Sequence, residues 1–299
     1  MITKLSSTVP QAVTDMPVRE YLRRAYPLMG SGRIVRLVNA KQFRINGEKT
    51  QPEACVSDGD EVIMYADFMI DRSLDTIFDD GRMVAFVKLA GLPVDADNLG
   101  IGEDTVLSRL RLVNPCARLV HRLDTQTSGV MLAAYDDDTE RLLVNAFKQH
   151  LLKKTYYALC EGRFSKSTGS IISYISKDSS AARVTVSSSE NENGLQAKSD
   201  YKVIKEYCKD SITMSLLEVT IETGRTHQIR AQLSGIGHPI IGDDKYGDHS
   251  ANKVLGIREM CLASREIRFG SNAALGAYAG KAFICPKEKI KWLTAEMLS

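Results

Sequence analysis

Two polar segments, each set between apolar runs, hold the residue types that could do chemistry. The first is His121-Arg122-Leu123-Asp124-Thr125-Gln126-Thr127-Ser128-Gly129, which precedes the buried-strand pattern Val130 to Ala134. It carries a cation, a carboxylate and several hydroxyl or amide side chains, and it reads as a loop held rigidly between two elements. Alone, Asp124 is better read as a turn-former that accepts hydrogen bonds from the amides of Thr125 or Gln126. The second segment is Thr223-Gly224-Arg225-Thr226-His227-Gln228-Ile229-Arg230, which follows the alternating strand Glu218-Val219-Thr220-Ile221-Glu222. Gly224 turns the chain there, and Thr226 is positioned to cap a helix that ends near Gly235-Ile236-Gly237. Arg230 then sits one turn into that helix and can point back at a site on a sheet.

The elements that must position these residues follow from periodicity. Val18 to Tyr26 has helical spacing and stops at Pro27, and a second helix begins at Ser31-Gly32 with Ile34, Leu37 and Val38 as its stripe. Asn46-Gly47 marks a hairpin, and Glu61 to Tyr65 reads as a strand after Ser57-Asp58-Gly59-Asp60. The segment Asp67 to Asp75 lacks periodicity and is the predicted linker, so residues 1–70 and 71–299 are the predicted domains. Beyond it, from Thr76, Asp79-Asp80-Gly81 feeds a strand and then a Gly-containing turn ending in Pro93. Asp136-Asp137-Asp138-Thr139 caps a helix carrying Leu142, Leu143, Ala146, Phe147 and Leu151. Lys153 to Gly162 and Cys261 to Phe269 read as strands, Ser165 to Gly194 as short strands and mobile loops, Gly237 to Gly247 as a glycine-punctuated loop, and the end near Trp292 as a short closing helix. Strands outnumber helices irregularly, which predicts an α+β fold with a mixed, mostly antiparallel sheet and helices packed on it.

At 299 residues the chain can bury a sizeable core, and its ordinary apolar and charged fractions exclude wholesale disorder. Neither a signal-peptide pattern nor a bilayer-length apolar run is present, which predicts a cytoplasmic protein. The six cysteines, Cys55, Cys116, Cys160, Cys208, Cys261 and Cys285, lie singly and read as reduced core residues; with the five histidines equally dispersed, no metal site is predicted. The net charge of +2 says little, but its distribution is uneven. Arg19, Arg23, Arg24, Arg33, Arg36, Lys41, Arg44 and Lys49 face only Glu20 and Glu48 within Pro17 to Lys49, and the following stretch is acidic. Such clustering suits a phosphate-binding surface, although a solvated helix face is the commoner meaning of a short charge run.

Pro17 to Ala66 resembles the S4-type RNA-binding module through Leu22-Arg23-Arg24, Ile45-Asn46-Gly47 and Gly59-Asp60-Glu61-Val62. In the remainder, His121 to Gly129, Lys154-Thr155-Tyr156, Arg225 to Arg230 and Gly237-His238-Pro239-Ile240-Ile241-Gly242-Asp243 occur in the order of the signature set of the RluA family of pseudouridine synthases, a resemblance covering Thr76 to Phe269. It implies the pseudouridine synthase fold and isomerisation of uridine in structured RNA, in which the glycosidic C–N bond breaks and carbon 5 of the uracil rejoins the ribose. By that resemblance Asp124 acts at the anomeric carbon, where positive charge develops, and Arg230 pairs with it. Tyr156 stacks under the base and assists proton transfer, Ile229 packs on the uracil, and Arg122 fills the space left by the flipped nucleotide. Thr127 and Arg225 complete the substrate-binding set, and Arg19, Arg23, Arg24, Arg33, Arg36, Lys41 and Arg44 form the RNA-binding set. His121, His227 and His238 read as scaffold.

No redox change or hydrolysis occurs in this reaction, so no cofactor is implied. RNA is the implied partner, large-subunit ribosomal RNA ahead of transfer RNA, with no obligate protein partner and a monomer expected. A non-catalytic RNA-binding or ribosome-assembly factor on the same fold is the alternative. One departure stands out: the family's Lys-Pro-x-Gly is here Lys88-Leu89-Ala90-Gly91, so the turn lacks its proline.

Overall fold

A computed structural model describes residues 3–68, 70–177, 183–189, 194–294 and 297. The chain forms two compact units, the first comprising Met1–Leu74 with Gly91–Ala117 and the second Asp75–Ala90 with Arg118–Ser299. The expected division at residue 70 lies close to the end of the first segment, but the return of Gly91–Ala117 to the first unit has no signal in local periodicity.

In the first unit, strands β1 (Thr3–Thr8), β3 (Phe43–Ile45) and β5 (Glu61–Ala66) form a sheet of order β1-β5-β3, and the two-residue strands β2 (Met16–Pro17) and β4 (Cys55–Val56) pair separately. Helices α1 (Val18–Ala25) and α2 (Ser31–Asn39) form where expected. Their apolar stripes place Tyr21, Leu22, Ile34 and Leu37 with Phe43 and Met64 in one core, each full burial contributing about 1.5–3 kcal/mol. Asn46 and Gly47 adopt φ of 52° and 82°, the left-handed turn that their dipeptide predicts. Helix α3 (Val106–Val113) starts from a reciprocal cap between Thr105 and Ser108.

The second unit contains an eleven-stranded sheet among the described residues. Its strands are β6 (Asp75–Asp79), β7 (Met83–Lys88), β8 (Arg118–Leu119), β9 (Ser128–Ala134), β10 (Leu152–Glu161), β11 (Thr168–Lys177), β12 (Val184–Ser187), β13 (Leu195–Lys209), β14 (Ile212–Ile221), β15 (Leu262–Phe269) and β16 (Ala282–Ile284). The order is β12-β11-β13-β14-β10-β15-β9-β7-β6, with β16 beside β15 and β8 beside β9. Every pairing is antiparallel except β15 with β9, which is parallel at Ala263↔Ser128 and Ser264↔Gly129. The mixed, mostly antiparallel sheet predicted from the sequence is therefore present, and its single parallel junction adjoins the Asp124 loop. Helices α4 (Asp137–Lys148), α5 (Gln228–Gly235) and α6 (His249–Leu255) complete the unit.

Local chemistry explains most boundaries. Asp136 caps α4 by accepting from the Thr139 amide at 2.8 Å, and Thr139, Leu143 and Ala146 form its buried face. Helix α5 buries Ile229, Ala231 and Leu233 and is also held by polar contacts. Gln228 donates to the Lys198 carbonyl at 3.0 Å and to Ser199 Oγ at 3.1 Å, and Gln232 donates to Ser173 Oγ at 2.9 Å and to the Ile171 and Ala197 carbonyls. Fully satisfied, these amides fix the helix against β11 and β13 in one register.

Four expectations are corrected. Helix α5 is not capped by Thr226; its cap residue is His227, in a left-handed conformation at φ 54° with no side-chain cap bond. The stretch from Ser165 holds a ten-residue strand, β11, not only short ones, because it pairs along its length with the fifteen-residue β13; residues 178–182 and 190–193 of it lie outside the described residues. Near Trp292 the chain makes a 3₁₀ turn at Lys287–Lys289 rather than a helix reaching Trp292, and residues 295, 296, 298 and 299 are outside the described residues. Cys55, Cys116 and Cys208 are exposed; only Cys160, Cys261 and Cys285 are core residues. No helix among the described residues is long and apolar enough to cross a membrane.

Candidate active site

The Asp124 loop runs from β8 into β9 and is closed by the Thr127 amide, which donates to the Asp124 carbonyl at 3.0 Å. Beneath it lies Lys88, the last residue of β7, fully buried, whose Nζ donates to the carbonyls of Leu89 at 2.9 Å and Thr125 at 2.8 Å. The lysine thus ties the loop to the turn that lacks the family's proline. Burial pushes the Lys88 ammonium down to about 7, and the charge of Asp124 opposes that shift. His121 closes the other side: its Nε2 accepts from the Leu132 amide at 2.9 Å and its ring stacks on Phe147 with centroids 4.4 Å apart. Burial, with the nearby Lys154 charge, lowers it to about 3, so it is a neutral scaffold group.

Gly129 is required where the loop enters the sheet. Its φ is +109°, and a Cβ there would stand 2.1 Å from the Ser264 carbonyl oxygen across the parallel junction. Ser264 also pairs with Tyr156 on β10, and between Thr155↔Glu266 and Tyr156↔Ser264 the register slips by one residue at Arg265. A bulge at this point re-aims the neighbouring side chains. Tyr156 and the end of the Asp124 loop are therefore set by one residue of β15.

Arg230 comes from α5 and is 3% exposed. Its Nε and Nη2 donate to the two oxygens of the fully buried Asp243, both at 2.7 Å, while Nη1 donates to Asp124 Oδ2 at 3.1 Å and Nη2 also reaches Asp244 Oδ1 at 3.1 Å. The Tyr246 ring lies 5.3 Å from the guanidinium carbon. Burial works against both charges of the Arg230–Asp243 pair, but their mutual bonds and attraction outweigh it, raising Arg230 and holding Asp243 below the usual carboxylate range. Asp243 is in turn fixed by the amides of Lys245 and Tyr246 at 2.8 and 3.0 Å. Asp124, by contrast, has a quarter of its side chain exposed. One guanidinium is thus anchored on a sealed carboxylate and presents its remaining edge to a reachable one.

Tyr156 is 8% exposed, and burial together with the Asp124 charge pushes the phenol up, with Ser264 opposing the shift. At neutral pH its hydroxyl is protonated. A cavity of about 80 Å³ is lined by Arg122, Asp124, Thr127, Tyr156, Arg225, Ile229 and Arg230, the complete set nominated from the sequence in this unit, together with Ile221, His227 and Leu262. Two wider recesses, about 510 and 500 Å³, share Arg122 and Arg225 as walls. Arg122 and Arg225 are exposed at the mouth, whereas Thr127 and Ile229 are buried. A larger cavity of about 750 Å³ past Ile221 does not include Asp124.

Three residues of this site escape the sequence reading. Asp243 lies in the Gly-Asp motif, yet nothing local distinguishes it from Asp244. Lys88 looks like a strand-end surface lysine. His227, read as scaffold, lines the cavity, with Nε2 4.0 Å from Asp124 Oδ2. His238 does behave as scaffold, meeting the Glu161 carbonyl at 2.9 Å and stacking on Phe164.

In the first unit the nominated basic residues lie on the surface among other partners. Arg23 and Arg24 both pair with Glu20, at 3.0 and 2.8 Å, and Arg24 reaches Asp97 at 3.3 Å. Arg36 stands 3.5 Å from Asp67, Arg33 lies over Phe68, Arg19 donates to Asn39, and Arg44 donates to the Gly47 carbonyl. Lys41 is exposed in a left-handed turn. Exposed pairs of this kind contribute roughly 0–1 kcal/mol each, so they compete only weakly with a polyanion.

Comparison with known proteins identifies the family. Residues 82–235 match the RNA pseudouridylate synthase family. The ribosomal large subunit pseudouridine synthase C of Rickettsia conorii is 31% identical over 284 residues, spanning 86% of this chain and 92% of that protein. The protein of the same name from Haemophilus influenzae is 29% identical, spanning 88% and 86%. The structure of human RNA pseudouridylate synthase domain containing 1 superposes with a TM-score of 0.59 at 22% identity, covering 76% of this chain and 98% of that one, which is a likeness of fold. With the family profile matched over half the chain and such relatives aligned over most of it, this chain belongs to the RluA-type family of RNA pseudouridylate synthases.

Proposed function

We propose that this enzyme isomerises specific uridines of large-subunit ribosomal RNA, with Asp124 as the group that engages the ribose. The observation that carries the reading is the Arg230–Asp124 contact at 3.1 Å in a pocket that Tyr156 and Ile229 also line. Arg230 keeps Asp124 directed, so its free oxygen can stabilise or attack the anomeric carbon as the C–N bond breaks. The sheltered walls, Ile229, Ile221 and Leu262, suit a flipped base, and Tyr156 supplies a ring face and a hydroxyl for the proton that leaves carbon 5. Arg122 and Arg225, at the mouth, contact the RNA backbone or fill the vacated stack.

The ribosomal target rests on the names of the relatives, which are ribosomal large subunit pseudouridine synthases over most of their length. The first unit serves as the S4-like RNA-binding region, using the exposed arginines of α1 and α2, and the enzyme works as a cytoplasmic monomer without a cofactor. Comparing pseudouridine maps of ribosomal and transfer RNA from cells with and without the gene tests the target. Loss of one or a few large-subunit sites is expected; loss confined to transfer RNA would move the substrate, and maps unchanged alongside tight RNA binding would favour a non-catalytic factor.

A further inference from the structure

His227 is held in a way that scaffold alone does not require. Its backbone is left-handed, at φ 54° and ψ 22°, a conformation that costs a non-glycine residue on the order of 1 kcal/mol and concentrates at functional sites. Its Nδ1 lies 3.0 Å from Tyr246 Oη, and the Val184 amide donates to that same oxygen at 2.8 Å. Tyr246 has a single hydroxyl proton. With Val184 already donating, the phenol gives that proton to His227 Nδ1; the reverse tautomer would leave the hydroxyl proton without an acceptor among these groups. The imidazole proton is then on Nε2, the atom 4.0 Å from Asp124 Oδ2.

We propose that His227 is a positioning residue for Asp124. Tyr246 holds its Nε2–H edge toward Asp124 Oδ2, so that the carboxylate is confined between His227 and Arg230 Nη1. This rests on the pseudouridine synthase reading of the site. The neutral imidazole is the working form. The groups facing it are Asp124 and Arg230 from the loop and α5, Asp243 and Lys245 from the loop after α5, and Tyr246, whose ring also lies 5.7 Å from the Arg183 guanidinium carbon beside β12. Burial and the cations keep its affinity for protons below the ordinary histidine value, against the pull of Asp124. Protonation would place an imidazolium against Asp124, weakening it toward the ribose, and would reverse the Tyr246 bond, leaving the hydroxyl proton without an acceptor among these groups.

The test is turnover of a large-subunit ribosomal RNA transcript carrying tritium at uracil carbon 5, measured as tritium release across pH for His227→Asn, Tyr246→Phe and the double variant. Asparagine tolerates the left-handed backbone, and phenylalanine keeps the ring against Arg230. His227→Asn should lower kcat about tenfold, because the carboxylate loses one of the two groups that confine it, with KM changed by less than about twofold. The acid limb of the kcat profile should move to lower pH in His227→Asn. In Tyr246→Phe it should move to higher pH, because the lost hydroxyl had stabilised the neutral ring. In the double variant, Tyr246→Phe should add nothing further. If both single variants keep the wild-type kcat and acid limb, or if only KM changes, the proposal fails. If the wild type releases no tritium, the functional reading fails instead.

Discussion

Among the described residues each unit contains one buried, two-pronged arginine–aspartate pair, and the two differ in what the guanidinium does next. In the first unit Arg109 grips Asp104 at 2.7 and 3.0 Å, both side chains at most 2% exposed, and turns its remaining nitrogen to the Ser73 carbonyl at 3.3 Å. In the second, Arg230 grips Asp243 just as tightly, but its remaining nitrogen goes to Asp124, which is a quarter exposed. The first guanidinium is spent wholly on structure. The second is held by structure and offered to a carboxylate that a ligand can reach. A buried salt bridge is therefore weak evidence of function, and what marks a site is the third, accessible partner.

Asp124→Asn should sharpen the contrast most: pseudouridine formation falls on the order of 10⁴-fold or more while the melting temperature barely moves, because Asp243 still holds Arg230. Retained turnover in that variant would remove Asp124 from the chemistry. Asp243→Ala should do the converse. It leaves Arg230 buried without its main partner, costing about 3–5 kcal/mol in denaturant unfolding, and turnover of the remaining folded protein drops by less than in Asp124→Asn. Arg109→Met should cost a similar 3–5 kcal/mol by taking the main partner from buried Asp104, which keeps only Arg72 at 3.5 Å, yet leave kcat per folded molecule within about twofold. Equal damage to kcat from Arg109 and Asp243 variants would erase the distinction between the two pairs.

A pH-dependent effect concerns Lys88. Its folded value of about 7 lies below its ordinary 10.5, so the unfolded chain binds the extra proton between those limits. Wild-type stability should accordingly rise from pH 7 toward 10.5 relative to Lys88→Met, and be lost as pH falls back to 7. Unfolding curves for both proteins across that range that run parallel would show that Lys88 is not held as described.

Much of the local structure was legible. Asn46-Gly47, the Asp136 cap and the strands around Tyr156 and Val130 follow from turn chemistry and periodicity, and the seven nominated residues of the second unit do line one cavity. What escaped has a common cause. The pairing of β13 with β11, the return of Gly91–Ala117 to the first unit and the slip at Arg265 all join residues far apart in the chain, and no short window of sequence contains both partners.

The sequence by itself determined the residue types and their order: a carboxylate before a positive-φ glycine, a tyrosine on a strand, an arginine one turn into a helix. Those choices are local, set by backbone freedom and side-chain spacing. Only the tertiary structure decided which of three aspartates seals Arg230 and which stays open, that Lys88 is buried under the loop, and that His227 turns an edge toward Asp124. Distance and burial govern charge and proton affinity, and both exist only once strands far apart in the chain have met.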